Sequence, residues 1–464
     1  MFSPRSYQQK IIDFIKKTPK GLVFCGCGMG KTAATLQAAL ELGLKRVLVI
    51  APLSVCINGW PFEVQKWQFP VNLRNFAGLT APKRAKIAGI IIDCGILTID
   101  LINYESINFI IKQNWRYDLI IADECTKLKH YRPRSGCKAA RNVMSIAKTT
   151  PRFIGLTGTP TPNGLIDLWG QYAFIGDGLG RSFTAFTERY FSKFTFPNNP
   201  FACKYTPLPY AEQRIGEVIA DNTINIKAEE YFNLQKPQFY RVPVKLSPKN
   251  QKDYEKLLKN SFTDDIIPAN AAAKLGKLLQ LANNFFYSDT DGPRYYEQTK
   301  IDALKAVIDD LNGESAIICY HYQADIQALK AAFADDVKAR TAVIYSEDID
   351  TAATAWNAGK VKLLFINPAQ AAHGLSLQHG GRNLIFYSAD WNLEQYLQVI
   401  ERIGPMRQFQ SGYKRVVNIY QLIAANTIES KVYDVLEKKQ STQNNLLELL
   451  AYCQNKTKQG GEHE

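Results

Sequence analysis

No stretch of this chain is apolar for long enough to span a bilayer. The N-terminus MFSPRSYQQK has no apolar core followed by a small-residue cleavage site. A membrane-spanning protein and a secreted one are both set aside, and the expectation is a soluble cytoplasmic protein without a membrane partner. Histidine is scarce, 5 in 464 residues, and the 9 cysteines form no C-x-x-C pair and no Cys/His cluster of zinc spacing. A zinc module and a disulfide framework are excluded on that ground, and the cysteines read as buried thiols of a reducing compartment. Acidic residues are in deficit, 43 Asp+Glu against 56 Lys+Arg, for a net charge of +13. The excess points to a polyanionic partner, with a merely basic surface as the plain alternative. What is present is ample for large cores, since 46% of the residues are hydrophobic and 21% charged, and the length suits two or three globular domains.

Short apolar runs alternate with amphipathic segments from Gly21 to Phe174. Val47 to Ala51, Ile96 to Ile102, Leu119 to Ala122 and Phe153 to Leu156 read as strands with helices between them. This is the α/β pattern of a parallel sheet covered on both faces, whose ligands are expected at the carboxyl ends of the strands. The alternation breaks over 176–297, a segment rich in aromatics, Pro and Lys with helical stretches near Lys249 to Asn260 and Ala269 to Asn283. It reads as an insertion and linker. A second alternating block follows, with strands at Ala316 to Cys319, Lys362 to Ile366, Asn383 to Tyr387 and Val416 to Leu422, then a last helix near Ile428 to Lys456. The expected division is 1–175, 176–297 and 298–464.

The stretch GLVFCGCGMGKTAAT, Gly21 to Thr35, has the layout of a phosphate-binding loop: a buried strand, Gly26, Gly28 and Gly30, then Lys31-Thr32 opening a helix. Glycines let backbone N–H groups turn inward around phosphate oxygens, and the helix N-terminus adds its dipole. Lys31 would reach the β- and γ-phosphates, and the Thr32 hydroxyl would ligate Mg²⁺. The strict pattern asks for glycine where Cys25 stands, and a Gly-rich turn with a chance Gly-Lys-Thr is the plain alternative. Downstream, LIIADECTKLKH ends a buried strand in Asp123-Glu124. One carboxylate, Asp123, suits the Mg²⁺ shell, and Glu124 suits the base that orients and deprotonates an attacking water; an acidic helix cap is the alternative. GLTGTPTPN adds the hydroxyls of Thr157 and Thr159 at a strand tip, where they could sense the γ-phosphate.

Together, at these spacings, the motifs resemble superfamily 2 helicases and translocases, and most closely their Swi/Snf-type branch in a compact, phage- or bacterial-like form. Arg5-Ser6-Tyr7-Gln8 looks like that family's adenine-reading element, and GMGKT like its first motif. VLVIAPLSVCINGW, ILTIDLINYESI, DECTKLKH and LTGTPTPNGLIDLW resemble the segments that follow. In the second block IICYHYQADIQAL resembles the fourth motif, and Asn367 to Gln408 the fifth and sixth. One departure stands out. The family's last motif has Gln, an arginine four residues on and a second arginine three beyond that. Gln398 and Arg402 fit, but Pro405 holds the second slot and Arg407 lies two residues later. Arg402 and Arg407 are taken as the pair that neutralises charge on the transferring phosphoryl group, the alternative being Arg402 alone.

The resemblance implies two RecA-like domains in tandem with a helical insertion between them, an ATP and Mg²⁺ requirement, and ATP bound by Arg5, Gln8, Gly28, Gly30, Lys31 and Thr32. It implies nucleic-acid contacts at Pro52, Leu53 and Ser54, at Asn103 and Tyr104, at Thr157 and Thr159, at His321 and Tyr322, and at His373, Gly374 and Leu375. For Tyr104 and His321 a packing role is the competing reading. The expected activity is that of a DNA-stimulated ATPase translocating on double-stranded DNA, a monomer that takes its targeting from a protein partner or from DNA structure. Two rivals are a strand-separating DNA or RNA helicase of the same superfamily and a non-hydrolysing, ATP-gated DNA-binding scaffold.

Overall fold

The computed structural model describes residues 2–26, 28–90, 95–196, 199–261, 268–288, 292–344, 349–371 and 376–459. It forms two compact units: Met1–Lys193, Tyr205–Asn233 and Lys439–Glu464 make the first, and Phe194–Lys204 with Leu234–Lys438 the second.

In the first unit the strands are β1 (Lys20–Cys25), β2 (Arg46–Ala51), β3 (Val71–Asn75), β4 (Leu97–Asn103), β5 (Leu119–Asp123), β6 (Arg152–Thr157) and β7 (Thr223–Ile226). They build one seven-stranded sheet in the order β3-β4-β2-β5-β6-β1-β7, parallel at every pairing. The central strands are near-continuous apolar runs because both faces are covered. Leu22, Phe24, Leu48, Ile50 and Ile120 fill the core on one face, while Val23, Val47, Val49, Ile121 and Ile154 are equally buried on the other. The edge strand β3 carries Arg74, which turns inward to the fully buried Asp100 of β4, Nε to Oδ1 at 2.7 Å. Arg46 (3.0 Å) and the Tyr117 hydroxyl (2.8 Å) donate to Oδ2 of the same carboxylate. Paired in this way, the buried charge is not left uncompensated.

Beside a short antiparallel pair, Phe285–Ser288 with Gly292–Tyr295, the second unit has a six-stranded sheet that is again wholly parallel. Its strands are β8 (Gln238–Val244), β9 (Ala316–Cys319), β10 (Ala342–Ile344), β11 (Leu363–Ile366), β12 (Asn383–Phe386) and β13 (Asn418–Ala424), in the order β8-β13-β12-β9-β11-β10. Alternate residues of β9 face separate cores: Ile317 and Cys319 pack with Leu364, Leu384 and Ile419, whereas Ala316 and Ile318 pack with Phe365, Ile385 and Leu422. Segment 176–297 carries helices, among them Pro248–Ser261 and Pro268–Ala282, and it also supplies β7 to the first sheet and β8 to the second. The long helix Glu429–Gln459 is fastened at its start by a buried ion pair, Lys300 Nζ to Glu429 Oε1 at 2.6 Å, with Asn283 Oδ1 accepting from the same ammonium at 2.7 Å.

Cys25, Cys56, Cys125 and Cys319 are buried, as expected. Cys137 is not: it is exposed at the residue before the helix Lys138–Ala147, with no side-chain bond to the helix end, and Cys203 is half-buried. No helix of the described residues is long and apolar enough to cross a membrane.

Candidate nucleotide and nucleic-acid site

Strand register assembles the first unit's site. In a parallel sheet all carboxyl ends lie on one edge, and here Phe24 of β1 pairs with Thr157, Leu156 of β6 with Asp123, and Ala51 of β2 with Asn103. The glycine loop, the acidic pair, the Thr-rich turn and the ends of β2 and β4 therefore meet along one edge.

The loop after β1 leads into helix α2 (Lys31–Glu41). Gly28 (φ 77°) and Gly30 (φ 74°) are left-handed, a conformation that costs a Cβ-bearing residue energy and glycine none. A Cβ on Gly30 would also lie 2.3 Å from Gln8 Nε2. Gln8, on helix α1 (Ser6–Lys17), is buried; its Oε1 accepts from the Arg5 backbone N–H (2.9 Å) and its Nε2 donates to the Met29 carbonyl (3.2 Å). The adenine-reading candidates are thereby tied to the phosphate loop. Arg5 itself is exposed, its guanidinium 5.6 Å from the Phe232 ring. Tyr7 packs against Tyr231 and Phe232, an aromatic wall that no motif announced because it comes from the segment following β7. Lys31 Nζ donates to the carbonyls of Cys25 (2.7 Å) and Gly26 (3.3 Å), acceptors that phosphate oxygens can replace.

Asp123 closes β5 and is 6% exposed. Its Oδ2 accepts from the Trp60 indole N–H at 2.9 Å, its Oδ1 from the Glu124 backbone N–H at 3.1 Å, and its carbonyl from the Tyr104 hydroxyl at 2.9 Å. Burial pushes the Asp123 carboxyl above its ordinary range, opposed by the Lys31 charge and by the Trp60 and Glu124 N–H groups. Glu124 is left-handed at φ 52°, a conformation that costs a non-glycine residue about 1–3 kcal/mol and concentrates at functional sites. The bend aims its carboxylate at β6, where the Thr157 hydroxyl donates to Oε2 at 3.3 Å and itself accepts from the Thr159 backbone N–H at 3.1 Å. Beneath this turn the fully buried Gln171 donates to the Pro160 carbonyl (2.7 Å) and accepts from the Cys125 thiol (3.4 Å), clamping the two loops together. The donor set for a metal, the Thr32 hydroxyl and the Asp123 carboxylate, is hard oxygen throughout and fits Mg²⁺.

Of the nucleic-acid candidates, Pro52 is buried, Leu53 exposed and Ser54 half-buried at the exit of β2. Tyr104 is 3% exposed with its hydroxyl committed to the Asp123 carbonyl, which sets it under the acidic pair. Thr157 is fully buried and Thr159 nearly so, and both belong to the Glu124 relay. In the second unit His321 is partly exposed; its backbone N–H donates to Ser388 Oγ at 2.7 Å, and its Nδ1 lies 4.0 Å from Asp390 Oδ2. His373, Gly374 and Leu375 lie outside the described residues. Gln398 and Arg402 are buried one turn apart on helix α3 (Leu393–Ile403). Gly404 ends that helix, and Pro405 opens α4 (Pro405–Gln410), so Arg407 comes from a separate helix and donates to the Ser376 hydroxyl.

The SNF2-related domain family matches residues 7–284, and the helicase conserved C-terminal domain family residues 299–406. Protein p41 of Acyrthosiphon pisum secondary endosymbiont phage 1 is 37% identical over 470 residues, 97% of this chain and 99% of that protein. The ISWI chromatin-remodeling complex ATPase ISW1 of Saccharomyces cerevisiae is 24% identical over 493 residues, 98% of this chain but 41% of its own length. The chain thus spans less than half of that larger relative. The solved structure of the Sulfolobus solfataricus SWI2/SNF2 ATPase core in complex with dsDNA matches at 21% identity with a TM-score of 0.43, covering 95% of this chain and 92% of that one.

Proposed function

The chain belongs to the SNF2-related family, with a helicase-type C-terminal domain, and from that premise we propose that it is an ATP-driven motor that translocates on double-stranded DNA. The observation that carries the proposal is the convergence on one sheet edge of the Gly28–Thr32 loop, Asp123 and the Glu124–Thr157–Thr159 relay.

In this reading the loop N–H groups and the α2 N-terminus cradle the phosphates, and Lys31 exchanges its carbonyl partners for phosphate oxygens. Gln8 and Arg5 read the base. Thr32 and Asp123 would hold Mg²⁺, which would supply positive charge to neutralise the phosphates. Glu124 orients the attacking water and takes its proton, its carboxylate held by the Thr157 hydroxyl; that bond lets the relay report the state of the γ-phosphate. Arg402 and Arg407, with Gln398, are proposed as the second half of the nucleotide site, contributed by the second unit to a cleft between the two. Cleft closure and opening would alternate the grip on the DNA backbone, with Pro52, Ser54, His321, His373 and Gly374 as the phosphate-facing candidates. Such contacts carry affinity without sequence information, which leaves targeting to a protein partner or to DNA structure.

Phosphate release tests the proposal. The wild-type chain is expected to hydrolyse ATP faster when duplex DNA is added, and Lys31→Ala to lose that turnover; unchanged, DNA-independent release from Lys31→Ala would refute it.

A further inference from the structure

Nothing in the motor reading uses Trp60, yet it is the largest fully buried side chain among the described residues of the first unit, at 0% exposure, and its one polar atom is spent on a carboxylate that the reading assigns to the metal. We propose that Trp60 is a positioning residue that couples nucleic-acid engagement at the β2 exit to the metal-facing geometry of Asp123. The inference rests on the motor reading above.

Three observations support it. The indole N–H donates to Asp123 Oδ2 at 2.9 Å, so a rotation of the Trp60 ring would remove one of the two N–H groups that hold that carboxylate. Trp60 is also joined directly to a loop built to change register. Residues Val55–Gly59 form a π-helical turn in which the Trp60 backbone N–H reaches back five residues to the Val55 carbonyl. A π turn holds one residue more than an α turn, and such bulges collect at functional sites. Relaxing it to α geometry would turn everything after it by about 100°, one residue's rotation about the helix axis, and would carry the indole away from Asp123. The third observation is that the turn is propped and solvent-facing: Asn75 Nδ2 at the end of β3 donates to the Cys56 carbonyl at 2.8 Å, while Leu53 and Ile57 stand 43% and 48% exposed beside it. The turn lies directly beyond Pro52-Leu53-Ser54, where the backbone of a nucleic acid is expected. A ligand settling there acts on the turn, and the turn acts on Asp123 through one hydrogen bond.

The test measures binding rather than turnover. A fluorescent, non-hydrolysable ATP analogue is titrated into the wild-type chain and into Trp60→Phe, which keeps an aromatic ring but loses the N–H, with Mg²⁺ or EDTA and with or without a DNA duplex. In the wild type the duplex is expected to tighten Mg²⁺-dependent binding by a factor in the usual allosteric range, about 5- to 150-fold. In Trp60→Phe that factor falls to about one, while affinity in EDTA is unchanged. A duplex effect of wild-type size in Trp60→Phe overturns the proposal, as does a wild-type chain whose nucleotide affinity ignores the duplex. Should Trp60→Phe fail to fold, Asn75→Ala, which removes the prop of the turn and leaves the indole intact, is expected to show the same loss; a wild-type duplex effect there overturns the proposal. Failure of the motor reading is distinguishable, because it appears as absent duplex-stimulated phosphate release from the wild-type chain.

Discussion

Glu124 is the residue on which the proposed chemistry would turn. Its left-handed backbone at φ 52° is costly for a glutamate, and the cost is offset by a placement that extended geometry would not give, with the carboxylate 3.3 Å from the Thr157 hydroxyl. As the proposed base it is worth about 10²- to 10⁴-fold in turnover. Glu124→Gln should therefore lose that much kcat while binding ATP as the wild type does, which a quench experiment beside a binding titration would check. The arginines are the second residue-scale question. Pro405 cannot serve, since its ring opens α4 and it carries no charge. If Arg407 replaces the missing arginine, Arg407→Ala loses kcat comparably to Arg402→Ala with nucleotide binding largely kept; wild-type turnover in Arg407→Ala would leave Arg402 acting alone. The types of the candidate site residues were legible in the sequence because glycine, lysine and paired carboxylates carry their chemistry in their identity. Trp60 and Gln171 were not, because a buried indole and a buried amide look like packing until their hydrogen-bond partners are seen.

Among the elements, the central strands were legible and the edges were not. β1, β2, β5 and β6 are largely apolar and buried on both faces, which is what a run of Val, Ile and Leu signals, and β4 is as buried although Thr98 and Asp100 interrupt it. β3 reads VNLRN and β7 reads TINI; each alternates apolar and polar residues over only four positions, too few to mark a strand, and β3 leans on the Arg74–Asp100 ion pair and β7 on register with β1. β10, three residues long, is too short to announce itself. In the second unit the helix Gln323–Ala332 begins over a buried acid: Asp325 accepts from the backbone N–H groups of Tyr322 (2.9 Å) and His321 (3.3 Å). Burial raises its carboxyl to about 6, opposed by those N–H groups, the Ser388 hydroxyl and the Lys300 charge. A folded-state value above the unfolded one means that the folded chain binds the extra proton, so this group's contribution to stability falls as pH rises from about 4 to about 6, by about 3 kcal/mol in all. Asp325→Asn keeps an acceptor for the two N–H groups and removes the titration. Its melting temperature, plotted against pH, should lack that component, so that the variant gains on the wild type across this window; parallel curves would mean that Asp325 does not titrate there.

For the whole molecule, the net charge of +13 suits a chain that holds a phosphate backbone without reading sequence. Two parallel sheets, one with a phosphate loop and one bearing buried Gln398 and Arg402, suit a motor whose halves must move to work. The larger relative extends well beyond the region matched here, which is 41% of its length. What distinguishes a duplex translocase from a strand-separating helicase is the track it follows, and one measurement reads that directly. Triplex displacement is followed beside unwinding of a forked duplex, with ATP and with the non-hydrolysable analogue. A duplex translocase is expected to strip the third strand from an intact duplex in an ATP-dependent manner, with little or no separation of the fork. Fork unwinding without triplex displacement, or stimulation of the ATPase by single strands alone, would contradict it.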